Sequence, residues 1–349
     1  MADLALLEGL LSIPSPSGQE AAAGAYLVEQ MALLGFEATR DEAGNVLGTV
    51  GNPGAGRTIA LLGHMDTVPG DIPVRREAGR LYGRGAVDAK GPLAAFVLAT
   101  ARVAPQLANC QVQVIGAVEE EAQSRGARHL ARSMEAPDLA IIGEPSQWDG
   151  ITLGYKGILR ADYRLEQPGG HSAGQLAGPA EQAIGFWNKL SAYAAAYNEG
   201  RSGRFETLDP ALGDLNTYRD GLNEGVTMVT LSRLPLGLSA ATLKGEMETW
   251  RNGARLEFYP SDPAVQADKN TPVVRALLRA IRGEGGRPRF KLKTGTSDMN
   301  VVGPVWNCPV VAYGPGDSRL DHTPHEHILV DEFRRAVDVL SRALVLLAA

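Results

Sequence analysis

Several short apolar runs in this chain end directly in an acidic residue or a histidine, and this pattern constrains its fold most strongly. The run Thr58–Gly63 leads into His64, and the run Val112–Val118 leads into the three acids Glu119–Glu121. Aliphatic runs of this length, bounded by Gly, Asn and Pro, are typical of buried strands. The sequence therefore predicts a sheet whose strands carry ionisable residues at their carboxyl ends.

Segments with helical spacing of apolar residues separate these runs. Between and around them the spacing predicts helices at Glu20–Leu34, Pro92–Ala104, Ser124–Met134 and Glu332–Leu347. Alternation of apolar strands with helices is typical of an α/β fold with helices on both faces of the sheet.

The middle of the chain follows a different order. Its predicted elements are strand Ile158–Glu166, helix Gly178–Tyr197, a strand near Asp214–Tyr218, strand Val226–Leu234, helix Ala240–Trp250 and strand Arg255–Tyr259. This β-α-β-β-α-β order is typical of a compact α+β unit. We therefore predict an inserted domain over residues 156–259, with residues 1–155 and 260–349 forming the other domain.

Composition narrows the classes of partner. The 349 residues include 34 Lys and Arg against 40 Asp and Glu, a net charge of −6, without alternating basic and aromatic residues, so nucleic acid is not an expected partner. Cys110 and Cys308 lie far apart, which favours a reducing compartment over a disulfide framework. No apolar run reaches the ~18 residues of a membrane helix, and the first residues lack the pattern of a secretion signal. A cytoplasmic protein without membrane association is expected.

The first two motifs each leave an alternative open. In His64-Met-Asp66 the two ionisable side chains share one face of a strand, which suits a carboxylate that orients a ligand histidine; chance packing is the alternative. The glycine-rich segment Gly83–Gly91 could cradle a phosphate, but it lacks the spacing of known phosphate loops. This leaves Asp88 as a carboxylate at the mouth of the sheet.

The remaining motifs are acidic and histidine-rich. Three consecutive acids after a strand are electrostatically costly unless cations neutralise them, although a solvated loop is the simpler alternative. Glu144 likewise follows an apolar run, and His322, His325 and His327 account for half of the six histidines.

Together, these five motifs resemble the co-catalytic zinc family of acetylornithine deacetylase, succinyl-diaminopimelate desuccinylase and carboxypeptidase G. The resemblance covers essentially the whole chain and implies a zinc-peptidase-like mixed sheet sandwiched by helices, with an inserted lid and dimerisation domain. It implies two zinc ions per chain, for which cobalt can substitute. The implied ligands are His64 and Glu144 for one metal, Glu121 and His322 for the other, and Asp88 as the bridge.

The same resemblance implies three catalytic residues and one backbone feature. Asp66 would orient His64, and Glu120 would be the general base that helps water attack an amide carbonyl. His171 would stabilise the oxyanion, typically from the partner subunit of a homodimer. The family has Asp where this chain has Glu119, which leaves the other two acids in register. The peptide bond after Asp88 would be cis.

A narrower likeness concerns residues 293–300 and 312–324. They resemble the lysine- and ornithine-releasing hydrolases of carrier-protein-dependent lysine and arginine biosynthesis. The substrate would then be an amide between the α-amine of lysine and the C-terminal glutamate side chain of a small acidic carrier protein. Arg233 and Asn223 match lid positions that bind substrate in the desuccinylase branch, and Thr296 and Ser297 are the other substrate-binding residues expected. Arginine suits a substrate carboxylate, with a surface salt bridge as the alternative for Arg233.

Other functions remain alternatives. A deacetylase of N-acetylornithine or N-acetyllysine, or a dipeptidase, would share every metal ligand. A non-catalytic homologue is disfavoured because Glu120 is present beside the ligands. A dinucleotide-binding enzyme is disfavoured because the glycine fingerprint is missing.

Overall fold

The computed structural model describes residues 4–52, 54, 56–107, 109–170 and 177–349. The chain forms two compact units. The first comprises Met1–Gly154, Ala267–Leu292 and Ser297–Ala349, and the second comprises Tyr155–Gln266 and Lys293–Thr296.

The helices of the described residues are α1 Ala5–Leu11, α2 Ala21–Leu33, α3 Lys90–Val103, α4 Arg125–Ser133, α5 Pro179–Asn198, α6 Ala240–Trp250, α7 Pro272–Gly283, α8 Asp298–Trp306 and α9 Val330–Ala348, with a short 3-10 helix at Ala104–Gln106. The strands are β1 Glu37–Arg40, β2 Val46–Gly51, β3 Arg57–His64, β4 Arg75–Glu77, β5 Arg80–Tyr82, β6 Cys110–Ala117, β7 Leu139–Ile142, β8 Gly150–Tyr155, β9 Gly157–Pro168, β10 Asp209–Arg219, β11 Asn223–Leu234, β12 Arg255–Phe258, β13 Val265–Gln266, β14 Arg289–Lys293, β15 Val310–Ala312 and β16 His327–Leu329.

The first unit is built on a mixed sheet in which β1, β2, β6, β3, β7, β15 and β8 lie in that order, with β14 paired to β8. β3 runs parallel to β6 and β7, whereas β2 is antiparallel to β6. Helices α3 and α7 pack against strands of this sheet, and α9 packs against α3 and α7. The predicted α/β class, a mixed sheet between helices, is confirmed.

β3 and α3 illustrate why this core forms. From Ile59 to His64 every residue of β3 is buried, as expected for a central strand covered on both faces. α3 buries Leu93, Phe96 and Val97 against the sheet and α9. Burial of such side chains contributes about 1.5–3 kcal/mol each relative to exposure.

The second unit is a four-stranded antiparallel sheet, ordered β10-β11-β9-β12, packed with α5 and α6. The chain order of its elements is β9-α5-β10-β11-α6-β12, the order expected from the sequence. β9 and β11 pair along their full length, from Gly157 opposite Leu234 to Pro168 opposite Asn223. Tyr163, Phe186 and Met228 lie in its core.

Some elements were not predicted from the sequence. β5 pairs with β4 and β16 to form a small separate sheet, and α8 follows β14. β4 consists of Arg-Arg-Glu, and all three residues are exposed. A strand of three charged residues lacks the apolar alternation that indicates a strand. In the described part of the chain, no helix combines the length and the apolar character that crossing a membrane requires.

Candidate active site

Three neighbouring parallel strands of the first unit bring ionisable residues to one edge of the sheet. β6, β3 and β7 lie side by side and run in the same direction. β3 ends on His64, the three acids Glu119–Glu121 follow β6, and Glu144 follows β7. The carboxyl ends of parallel strands are the usual location of binding sites in α/β proteins.

His64, Asp88 and Glu144 form a first group of possible metal ligands. One side-chain ligand atom from each residue lies within 4.8 Å of the others. Nε2 of His64 is 3.2 Å from Oδ1 of Asp88 and 4.0 Å from Oε1 of Glu144. The imidazole is 1% exposed, so these contacts lie away from bulk water.

Asp88, Glu121 and His322 form a second group of the same kind. Nε2 of His322 lies 3.1 Å from Oδ2 of Asp88 and 2.9 Å from Oε1 of Glu121. The two carboxylate oxygens of Asp88 therefore face two different histidines, Oδ1 towards His64 and Oδ2 towards His322. Asp88 is the residue that the two groups share.

The donor set fits zinc or a similar divalent cation. Zinc sites use imidazole nitrogens and carboxylate oxygens at 2.0–2.2 Å, so two ligands of one tetrahedral ion lie about 3.4 Å apart. The ligand-to-ligand distances from 2.9 to 4.0 Å in the two groups span this value. The chemistry of both groups is therefore compatible with one metal ion each.

The carboxylate of Asp66 contacts His64 and the backbone of the neighbouring acidic loop, Glu119–Glu121. Its Oδ1 lies 3.4 Å from Nδ1 of His64 and accepts a hydrogen bond from the backbone N–H of Glu120. Its Oδ2 accepts hydrogen bonds from the backbone N–H of Glu121 and from the hydroxyl of Ser17. One fully buried carboxylate thus contacts both the histidine and the backbone of the acidic loop.

Glu120 and Glu121 resist ionisation in the metal-free protein, because the pKa of each is raised. Burial is the largest influence on Glu120 and raises its pKa well above the ordinary value; Glu144 and Asp298 act in the same direction, whereas His64 opposes it. Burial and the neighbouring Asp88 raise the pKa of Glu121 to about 7. Crowded carboxylates favour protonation unless cations are present.

The neighbouring carboxylates raise the pKa values of His64 and His322, which favours the protonated, positively charged imidazoles. Burial by itself lowers the pKa of His64, but its contacts with Asp66 and Asp88 raise that pKa well above the ordinary value. The contact with Asp88 raises the pKa of His322 to about 9, against the opposing effect of burial. In the metal-free protein, bound protons thus offset the negative charge of the carboxylates. A metal ion would displace these protons.

A buried glutamate that the sequence analysis did not single out fixes the backbone at Asp88. Oε1 of Glu326 accepts hydrogen bonds from the backbone N–H groups of Val87 and Asp88, at 2.9 and 3.1 Å. Its Oε2 pairs with Arg84 at 2.7 Å. The peptide bond between Asp88 and Ala89 is cis, which confirms the expectation drawn from the resemblance.

The sequence indicated the supporting role of Glu326 only weakly and that of Ser17 hardly at all. Glu326 stands between His325 and His327 in the last motif, where attention went to the histidines. Ser17 lies in a Pro- and Ser-rich segment without a recognisable pattern. Both residues act through contacts with residues distant in sequence.

Of the expected substrate-binding residues, Arg233 and Thr296 lie together in the second unit. Nη1 of Arg233 donates a hydrogen bond to the hydroxyl of Thr296 at 3.3 Å. Ser297, in the first unit, is the N-cap of α8 and accepts a hydrogen bond from the N–H of Met299.

The structure does not bring Asn223 and Arg233 together. They stand at opposite ends of β11, ten residues or about 33 Å apart along an extended strand. A single small ligand cannot contact both within one chain. His171 lies outside the described residues.

The amino-acid sequence is similar to those of a known peptidase family and of its members. A model of peptidase family M20/M25/M40 matches residues 60–345. A LysW-lysine hydrolase of Deinococcus radiodurans is 46% identical over 347 residues, covering 97% of this chain and 95% of the relative. A LysW-lysine/LysW-ornithine hydrolase of Sulfurisphaera tokodaii is 30% identical over 349 residues, covering 97% and 94%.

Among solved structures, the M20 family metallo-carboxypeptidase Sso-CP2 from Sulfolobus solfataricus matches with a TM-score of 0.84. It is 19% identical, and the match covers 100% of this chain and 99% of the other. At 19% identity, this likeness shows a shared fold and nothing more.

Proposed function

Since the chain belongs to peptidase family M20/M25/M40, we propose that it is a two-metal amidohydrolase that releases lysine from a small carrier protein. The observation that carries the hydrolytic part is Asp88, whose two oxygens face two separate histidine–carboxylate groups beside Glu120. The substrate part is supported by the relative named LysW-lysine hydrolase, which is 46% identical along nearly the whole chain.

The proposed ligands are the residues of the two groups. His64, Asp88 and Glu144 would hold one ion, and Asp88, Glu121 and His322 the other. We propose zinc, with cobalt as a substitute, because the donors are imidazoles and carboxylates. When bound, such ions acidify water and polarise a carbonyl, which are the two requirements of amide hydrolysis at neutral pH.

Glu120 is the proposed proton carrier. It adjoins the proposed ligand Glu121. The charges of His64 and Glu144 act on the pKa of its carboxyl group, His64 lowering it and Glu144 raising it. A base in this position takes a proton as water attacks the amide carbon and then passes it to the amide nitrogen, so that the bond breaks into a carboxylate and an amine. Asp66 would keep Glu120 in place through the backbone hydrogen bond described above.

The released amino acid offers an α-carboxylate for recognition. Arg233 has the planar, paired donors that suit a carboxylate, and Thr296 beside it offers a hydroxyl. We propose these two residues, together with Ser297, as substrate contacts, and Asn223 as a contact made at a different location from Arg233. Lysine and ornithine present the same carboxylate and differ only in the length of their side chains.

We further propose a homodimer formed through the second unit. β10 is the edge strand of its sheet, and Leu212 and Leu215 on this strand are 41% and 40% exposed. A long edge strand with exposed apolar residues is a ready surface for pairing with another chain. In this proposal His171 acts in the partner's active site. The free cysteines Cys110 and Cys308 fit a reducing compartment such as the cytoplasm.

Comparison of substrates tests the proposed function. Metal-loaded protein is given carrier-linked lysine, N-acetyllysine and N-acetylornithine in parallel, and free amino acid is quantified by mass spectrometry. We expect kcat/KM for carrier-linked lysine to exceed the other values at least a hundredfold, with Glu120→Gln as the inactive control. Equal or faster turnover of an acetylated substrate would instead assign the protein as a deacetylase.

A further inference from the structure

The first unit contains a cavity of about 310 Å³ that is lined by none of the proposed metal ligands. Its wall is formed by the end of α1 and the segment after it, by the loop after β3, and by Arg84 and Lys90. Pockets for small ligands have volumes of about 300–1,000 Å³, so this cavity suits a molecule of a few carbon atoms rather than a nucleotide.

Most of the cavity wall is apolar. The apolar side chains that line it are Leu11, Pro14, Ile72, Pro73 and Val74. Leu11 is 6% exposed and belongs to the core of the first unit, and Val74 packs against that core. A largely apolar wall with a few polar groups is typical of small-molecule sites, and it requires a ligand with an aliphatic part.

A buried ammonium group lines the inner part of this cavity. Lys90 is 1% exposed, and its Nζ donates hydrogen bonds to the main-chain oxygens of Leu10 and Ile13, at 3.0 and 2.8 Å. Within the described residues Lys90 has no other acceptor and no ion pair, so one of its three N–H donors is left for a ligand. Because an unpaired buried charge is costly, a ligand carboxylate would be a favourable partner for this ammonium.

Arg84 supplies further donors to the cavity. Its Nε donates a hydrogen bond to the main-chain oxygen of Gly70 at 2.9 Å, and its Nη1 donates to Oε2 of Glu326 at 2.7 Å. In the part of the chain that the structure describes, Nη2 of Arg84 has no acceptor, although the side chain is only 12% exposed. A guanidinium and an ammonium that line one cavity favour a carboxylate ligand.

Asp71 adds the opposite charge at the outer part of the cavity. It lines the cavity and is exposed, whereas Lys90 is buried. Burial lowers the pKa of Lys90 to about 8, against the opposing charges of carboxylates that include Asp71, so the two side chains are close enough to interact. Asp71 has no hydrogen bond or ion pair with another described residue. The cavity therefore offers cations at its inner end and an anion at its outer end.

We propose that this cavity binds a free aliphatic α-amino acid of about the size of leucine. The α-carboxylate contacts Lys90 and Arg84, and the α-ammonium contacts Asp71. The aliphatic side chain packs against Leu11 and Val74. Phosphate would leave the apolar wall without a partner, and lysine would place a second ammonium against that wall.

Glu326 links this cavity to the proposed metal centre. Its Oε2 pairs with Arg84, and its Oε1 accepts the hydrogen bond from the backbone N–H of Asp88. A ligand that holds Arg84 in place therefore supports the position of Asp88. We expect the amino acid and the metal to increase each other's affinity by the same factor, and this coupling rests on the proposed metal site.

Isothermal titration calorimetry with the zinc-loaded protein tests the site. The probes are L-leucine, 4-methylpentanoate, which lacks the amine, and 3-methylbutan-1-amine, which lacks the carboxylate. The test variants are Asp71→Asn, which removes the negative charge, and Val74→Trp, which fills the cavity. The matched controls are Asp331→Asn and Val305→Trp, at side chains that are 92% and 56% exposed elsewhere on the first unit. Thermal unfolding establishes that each variant is folded.

We expect saturable binding of leucine below 10 mM, at least fivefold weaker binding of 4-methylpentanoate, and no binding of the amine. Asp71→Asn should weaken leucine binding at least fivefold and change the binding of 4-methylpentanoate less than twofold. Val74→Trp should abolish the binding of both, and both controls should stay within twofold of the unaltered protein. Removal of zinc with EDTA should raise the Kd for leucine at least threefold.

Absence of leucine binding, or a Kd for leucine that is unchanged in both test variants, would overturn the proposal. If Val74→Trp does not fold, the exposed substitution Asp71→Asn decides alone. Equal affinity for leucine and 4-methylpentanoate would show that the cavity does not recognise an amino acid, and a Kd independent of zinc would contradict the coupling. Since binding is measured without substrate, these outcomes are distinguishable from a failure of the proposed function, which is measured by hydrolysis.

Discussion

Asp66 connects two parts of the site that lie far apart in the sequence. Its carboxylate contacts the His64 imidazole and accepts hydrogen bonds from the N–H groups of Glu120 and Glu121. Burial raises the pKa of Asp66, but the contacts with His64 and Ser17 outweigh this effect, so its pKa is below the ordinary value. The residue therefore stays ionised and can hold the proposed base and one proposed ligand in fixed positions.

The acids Glu120 and Glu121 are adjacent in sequence but should differ in function. Glu120→Gln removes the proton acceptor, so kcat should fall by ~10²–10⁴-fold while two metal ions per chain are retained. Glu121→Ala removes a ligand of the second group, so one of the two ions should be lost on dialysis. Steady-state kinetics and elemental analysis of both variants provide the measurement. An exchange of these two outcomes would shift the assignment of the triplet by one residue.

Glu326 should matter for metal binding although it is not a proposed ligand. In Glu326→Ala the N–H groups of Val87 and Asp88 lose their acceptor, and Arg84 loses its partner. Loss of such supporting contacts typically weakens metal binding 10–100-fold, and breaking a buried ion pair costs about 3–5 kcal/mol. A metal-competition titration and chemical unfolding measure the two effects.

The control for this variant is Glu77→Ala, which removes an exposed partner of Arg75. Exposed pairs contribute about 0–1 kcal/mol, so this change should leave unfolding and metal affinity nearly unaltered. Metal affinity of Glu326→Ala equal to that of the control would show that Asp88 is positioned without Glu326.

At the scale of elements, the sequence predicted those helices and strands that depend on the local spacing of apolar residues. The order β9-α5-β10-β11-α6-β12 and the burial of β3 follow from the spacing of apolar residues. This spacing can be recognised within a short stretch of sequence, without knowledge of tertiary contacts. The charged strand β4 and the helix α8 lack such spacing, and tertiary contacts determine them. The positions of His64, Glu119–Glu121 and Glu144 at strand ends were likewise predictable. The contacts of Glu326 and Ser17 were not, because they join residues separated by 238 and 49 positions.

β10 contains a bulge that bears on the proposed dimer. Leu212 lies opposite Thr230 and Leu215 lies opposite Met228, so three steps along β10 match two along β11. The extra residue keeps Leu212 and Leu215 on one face of the sheet, the face on which Met228 is buried. The apolar layer of the second unit thus continues into exposed side chains at the edge of the sheet.

A charge on this face should dissociate the dimer. In Leu215→Glu a carboxylate would have to be buried at the contact, so we expect a monomer in light scattering at micromolar concentration where the unaltered protein is a dimer. The matched control Leu33→Glu makes the same change at a leucine that is 75% exposed on the first unit. A dimer of undiminished affinity in Leu215→Glu would place the contact on another surface.

At the scale of the whole molecule, the site links folding to pH when metal is absent. Glu121 has a folded pKa of about 7, above its unfolded value, so the folded protein retains a proton that the unfolded chain releases. This linkage lowers stability as pH rises from about 4.5 to 7. His322, with a folded pKa of about 9, contributes stability that is complete below about 6.5 and is lost as pH rises through 9. Both groups make the metal-free protein less stable towards alkaline pH.

Metal ions should reverse this trend, because they bind the deprotonated ligands and displace the same protons. Ions that bind only the folded state stabilise it by about 2.7 kcal/mol at a concentration of 100 Kd, and Kd falls as the ligands deprotonate. We therefore expect the difference in Tm between zinc-loaded and EDTA-treated protein to widen from pH 6 to pH 8.5. In His322→Ala one proton-linked ligand is missing, so the widening should be smaller. Scanning calorimetry at both pH values measures this, and a Tm difference independent of pH would contradict the proposed linkage between these ligands, the metal and folding.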